Sequence, residues 1–139
     1  AIELQPDNVD LHFNLGVIAA EAKDYEEAKK RYKEAIELDP TYINAQMNMG
    51  ALILEQETGI IDKMNKLGSS AADDRKYEEL KEKRKQMYLD AVPYLQSALD
   101  LDIKNLAAAR TLMNIYSALG DTDNFDMMKA KVEAIENGN

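Results

Sequence analysis

The chain has 139 residues, 45% apolar and 31% charged, with 26 acidic against 17 basic side chains and a net charge of −9. That length suits one modest domain, and the acidic balance disfavours a nucleic-acid partner unless the cations gather on one face. With no Cys and one His, the composition excludes disulfides, thiol nucleophiles and multi-histidine metal sites, so neither cofactor nor metal is expected.

Residues 1–6 read Ala-Ile-Glu-Leu-Gln-Pro and residues 35–40 read Ala-Ile-Glu-Leu-Asp-Pro, so five of six positions recur at a fixed spacing. Upstream of the second copy, Leu11, Leu15 and Ile18, then Tyr25, Ala28, Tyr32 and Ala35, follow the steps of three and four that mark two helices. The short link Ala22-Lys23-Asp24 makes those helices antiparallel. Small Gly16 is expected to face Ala28, letting two backbones approach closely. Leu15-Gly16 recurs as Met49-Gly50 at that same spacing, and less faithfully as Leu112-Met113. Between them, Thr41 to Leu54 is the longest uncharged stretch, but Asn44, Gln46 and Asn48 interrupt it and it falls short of the roughly 20 apolar residues of a membrane span. Nor does the chain open like a signal peptide.

From Gly59 to Asp90 the pattern stays helical, with Ile60, Ile61, Met64 and Leu67 on one arm and Tyr77, Leu80, Arg84, Met87, Tyr88 and Ala91 on the other. Gly68-Ser69-Ser70 marks the turn, and Asp73 or Asp74 is expected to cap the returning helix. Bends are expected at Gly59 and at Pro93, which has no N–H to donate to the carbonyl of Leu89. Residues 59–90 hold eight basic and seven acidic side chains, net +1, which leaves −10 on the rest of the chain. The run Lys81-Glu82-Lys83-Arg84-Lys85 reads either as a solvated helix face or as a surface for an acidic partner. Past the insertion, Ala91, Leu95 and Ala98 stand where Ala28, Tyr32 and Ala35 stand earlier, with Ile103 in place of Pro40.

These residues resemble the tetratricopeptide repeat family, whose unit is an antiparallel helix pair with small residues at the contact and a Pro between units. Leu15, Gly16, Ala28, Tyr32, Ala35 and Pro40 fall on the signature positions of one unit at residues 9–42. The resemblance implies an all-α, antiparallel helix-pair solenoid of about three repeats with a protruding helical hairpin. Residues 1–8 are the tail of a preceding repeat and 9–42 are repeat one. Repeat two spans 43–105 with its insertion at about 59–90, and 106–139 hold repeat three and the C-terminal end. In repeat three, Phe125, Met128, Val132 and Ile135 follow their counterparts Tyr25, Ala28, Tyr32 and Ala35 at a wider spacing than Leu112 follows Leu15, which predicts an inter-helix loop longer by three. The chain is expected to begin inside an earlier repeat of a longer array. Long insertions of this kind resemble those of a bacterial subgroup; the compartment, bacterial periplasm or cytoplasm, stays open.

No phosphate loop, HExxH or nucleophile elbow is present, so no enzymatic activity is expected. His12 falls on a core position of the repeat. In the family, first helices line a concave groove for extended peptides or partner helices, and the lining positions carry over as Asp10, Phe13, Asn14 and Val17 from repeat one. Repeat two contributes Asn44, Met47, Asn48, Ala51 and Leu54, and repeat three Ala107, Arg110, Thr111 and Asn114. Asn14 and Asn48 are equivalent, and a carboxamide can donate to and accept from a peptide backbone at once. The positions with which a subclass of the family clamps the C-terminal carboxylate of heat-shock chaperones map to Phe13, Val17, Asn48, Ala107 and Thr111. Only Asn48 matches, and without cations such capture is not expected. The expected function is therefore a protein-interaction module that binds a peptide or partner helix. The alternatives are an architectural or self-assembly module pairing through the hairpin or the open N-terminal end, or a domain that positions a neighbouring enzyme or membrane anchor.

Overall fold

In the computed structural model, which describes residues 8–138, every stretch with helical spacing becomes a helix and no strand forms among the described residues. The helices are α1 Val9–Glu21, α2 Tyr25–Leu38, α3 Ile43–Leu54, α4 Gln56–Asn65, α5 Ala71–Leu101, α6 Leu106–Leu119 and α7 Thr122–Glu136. The tail of a preceding repeat read at residues 1–8 lies outside the described residues, apart from Asn8.

Short polar residues set where the helices begin. Asn8, Asp24, Asn105 and Asp121 each accept a hydrogen bond from the backbone N–H three residues on, at 3.1, 3.3, 3.1 and 3.2 Å, and so satisfy a donor that the first turn leaves orphaned. Asn8 is separated from Asp24 by the same length of chain as Asn105 from Asp121. The inter-helix loop of repeat three is therefore not longer: Gly120 and Asp121 link α6 to α7, against Ala22 to Asp24 between α1 and α2. The extra length lies inside α7, whose buried Met128 and Val132 come one turn later than Ala28 and Tyr32. Gly120, at φ +72°, ends α6 in the left-handed region that glycine enters without steric cost.

Packing follows chain order. The antiparallel pairs are α1 with α2, α3 with α5, and α6 with α7, and α2 meets α3 as α5 meets α6. The buried side of α1 is His12, Gly16 and Ala19, not the row of Leu11, Leu15 and Ile18, whose last member is 61% exposed. Tyr25 is also exposed. Small residues take the contact because they let the helices close in. A Cβ built on Gly16 would meet the Tyr32 ring first, and one on Gly50 would meet Leu95, so large side chains of the partner helices come nearest to both glycines. Ala28, Ala35, Ala91 and Ala98 are nonetheless fully buried.

The hairpin is α4 returning along the first half of α5. Ile60, Leu80, Met87 and Tyr88 are buried in it, with Ile61, Met64 and Leu67 half-buried. Its turn is capped by Ser70, which accepts from the Asp73 N–H at 3.0 Å, while the Asp73 carboxylate accepts from the Gly68 N–H at 3.0 Å. Neither Asp73 nor Asp74 takes the capping position. The outgoing arm is interrupted at Glu55, not at Gly59, which lies inside α4. Pro93 lies inside an unbroken helix of 31 residues, about 46 Å at 1.5 Å per residue. Leu89 and Pro93 are both exposed, so water can take up the carbonyl that the proline leaves unpaired.

Candidate functional site

The lining residues expected from the sequence lie on the three first helices, α1, α3 and α6, and two repeating contacts join them. Tyr42, at the start of α3, reaches back to α1: its hydroxyl donates to Asp10 at 2.9 Å and its ring lies 5.2 Å from that of Phe13. Asn105, at the start of α6, reaches back to α3 in the same way, donating from Nδ2 to the Met47 sulfur at 3.6 Å. Phe13 and Met47 hold the same place in successive repeats, so each repeat sets its N-cap side chain against the same position of the repeat before.

Along this line Phe13, Val17, Met47 and Leu54 are half-buried, and Asp10, Asn14, Asn44, Ala51, Ala107 and Asn114 are exposed. Asn14 and Asn48 do not have equivalent surroundings. Asn14 faces solvent, whereas Asn48 is half-buried and donates from Nδ2 to the Tyr32 hydroxyl at 3.4 Å. Thr111 is half-buried, and its hydroxyl donates to the Ala107 carbonyl one turn back at 2.8 Å. Arg110 pairs with Glu136 of α7 at 2.5 Å, so the one cation of the expected lining already has a carboxylate. Sequence spacing misses Tyr42, Asn105 and Glu136, although Tyr42 and Asn105 stand at equivalent cap positions and that equivalence is legible.

Beneath the surface, Tyr32 is 2% exposed and its ring lies 5.9 Å from Phe13. Burial raises the Tyr32 hydroxyl above its ordinary 10.0, although the Asn48 hydrogen bond pulls it back down. Tyr42 is raised first by burial and then by Asp10, and Tyr116 by burial and then by Asp121. A phenol held above its unfolded value keeps its proton longer in the fold. The stability it contributes is complete below about pH 10 and is lost as pH climbs through the folded value. Thermal unfolding measured against pH is expected to stay level with respect to these groups up to about pH 10 and then fall. Tyr32→Phe is expected to make that alkaline fall shallower, and an unchanged slope would show that Tyr32 carries none of it.

His12, 4% exposed, has Nδ1 3.0 Å from a Glu34 carboxylate oxygen, which ties α1 to α2 at a core position. No group of three or more His, Asp or Glu among the described residues is placed to hold a metal ion. No helix among them is long and apolar enough to cross a membrane.

The tetratricopeptide repeat family model matches residues 9–42, the unit whose caps, glycine contact and inter-repeat tyrosine are described above. Solved structures similar to the chain include YrrB, described as a tetratricopeptide repeat protein with an unusual peptide-binding site. It is 20% identical, with a TM-score of 0.39 over 99% of this chain and 74% of that one. Another is MamA, 19% identical, with a TM-score of 0.36 over 94% of this chain and 74% of that one. Among curated proteins none matches the sequence at a significant level. The family match therefore places one tetratricopeptide repeat unit at residues 9–42, and the pairs α3 with α5 and α6 with α7 continue its helix-pair order along the chain.

Proposed function

We propose that the surface carried by α1, α3 and α6 receives an extended peptide or an apolar helix of a partner protein. The observation that carries this reading is the repeated contact of Phe13 with Tyr42 and of Met47 with Asn105, which joins successive first helices into one face. Half-buried Phe13, Val17, Met47 and Leu54 offer that face apolar footing, and exposed Asn14, Asn44 and Asn114 offer carboxamides. Because Arg110 is already paired with Glu136, the face has no spare cation for a terminal carboxylate. Recognition then rests on backbone hydrogen bonds and apolar side chains.

The test is recovery of partners from extract of the source cell. The wild type is compared with a variant carrying Asn14→Ala, Asn44→Ala, Ala51→Glu and Asn114→Ala, all at exposed positions. Each hydrogen bond to a peptide backbone contributes about 0.5–1.5 kcal/mol, so three lost bonds should weaken binding by roughly tenfold or more. Equal recovery by the two proteins would refute this face as the site. A molecular mass that rises with concentration would favour the self-assembly reading.

A further inference from the structure

We propose a second docking site, separate from the α1–α3–α6 face, at the corner where the hairpin leaves the body, and that its ligand is an extended acidic peptide with apolar side chains. A cleft of about 580 Å³ opens there between the middle of α5 and the C-terminal end of α6. Its apolar part is Tyr88 with Ala118 and Leu119, and its rim carries Lys81 and Lys85.

The charges of this cleft divide into used and unused. Arg84 is used: Nε and Nη2 lie 3.0 and 2.9 Å from one Glu57 oxygen, Nε also lies 3.2 Å from the Tyr88 hydroxyl, and that hydroxyl donates to the same Glu57 oxygen. The cluster ties α4 to α5 and cancels the guanidinium charge. Lys81 and Lys85 are exposed, and among the described residues neither has an ion-pair partner. Glu82 is the acid on the rim, so the unspent charge is positive on a chain whose net charge is −9.

Spacing and charge select the ligand. Residues four apart on a helix stand on one face about 5–6 Å apart, close to the roughly 7 Å between alternate side chains of an extended strand. Two carboxylates two residues apart can therefore meet Lys81 and Lys85 together, while the side chain between them or beyond is offered to Tyr88 and Leu119. A nucleic acid fits poorly, because the −10 carried outside residues 59–90 opposes a long phosphate backbone. A short acidic segment satisfies its charges within a Debye length of about 8–10 Å.

The probe is a short fluorescein-labelled peptide of alternating Glu and Leu, titrated with the protein and followed by anisotropy. Two controls replace Glu with Gln or Leu with Ser. Saturable binding is expected with a Kd below about 1 mM, weakened by added salt and by either control substitution. Lys81→Glu with Lys85→Glu is expected to weaken binding by about tenfold or more, and Leu119→Ser to do the same. Circular dichroism confirms the fold of each. The variant at Asn14, Asn44, Ala51 and Asn114 should bind the peptide unchanged. Absence of saturation by about 1 mM, indifference to the Lys81 and Lys85 reversal, or equal binding of the Glu/Ser control would overturn the proposal. So would loss of binding in the variant of the α1–α3–α6 face, which would assign the peptide to that face and leave this corner without a ligand.

Discussion

Gly16→Leu is expected to lower the free energy of unfolding by about 3 kcal/mol or more, at the upper end of overpacking costs. A Cβ on Gly16 alone would stand 2.6 Å from both Cδ1 and Cε1 of Tyr32, closer than carbon atoms approach without something moving. The ring has little room to move: it is buried, lies beside Phe13, and its hydroxyl accepts from Asn48. The clash therefore passes to the spacing of α1 and α2. For a chain of this size the unfolding temperature should fall by about 4 °C for each kcal/mol. Gly59→Ala supplies the opposite sign. Nothing lies within 4 Å of a Cβ there, and removing a glycine from the interior of a helix stabilises it by about 0.5–1 kcal/mol. A melting curve unchanged by Gly16→Leu would show that the close approach of α1 and α2 at this point is not real.

That contact also shows what is legible in the sequence and what is not. The recurrence of Ala-Ile-Glu-Leu, the paired small residues and the matching cap residues Asn8 with Asn105 and Asp24 with Asp121 give the helix pairs and their order. Apolar spacing alone does not give the buried side of α1, because it favours the longest aliphatic chains. Where two helices close to the point that a methyl group would collide, the buried residues are small, and Leu15 and Ile18 flank them. Gly59 and Pro93 point to bends in the sequence because each carries a local cost. Both nonetheless lie inside continuous helices, Gly59 in α4 and Pro93 in α5. For the candidate site the resemblance names positions on the first helices, but not their state of use. Asn48 is occupied by Tyr32 and Arg110 by Glu136, and both partners lie on second helices. Equivalence between Asn14 and Asn48 in the repeat says nothing about which of them remains open to a ligand.

Leu95→Ala and Leu80→Ala remove the same atoms from one helix, and they are expected to have different consequences. Leu95 is 2% exposed, meets Gly50 of α3, and lies on the part of α5 that packs between α3 and α6. The cavity it leaves touches two repeats, so the whole array should lose about 2–5 kcal/mol. Leu80 is 4% exposed on the arm of α5 that meets α4. In a fold whose units contact only their neighbours, a loss at an appended arm is carried by that arm. Leu80→Ala should open α4 and the first half of α5 while the body stays folded. Hydrogen exchange should then report lost protection within about residues 56–85 and little change in α1, α2, α6 and α7. The Arg84–Glu57–Tyr88 cluster sets the inner limit of that opening, because beyond it α5 is held on α3 and α6. Equal loss of global stability in both variants would mean that the hairpin is part of the cooperative core. In that case Lys81 and Lys85 would stand on a surface as rigid as the repeats themselves, and not on an arm that can open independently.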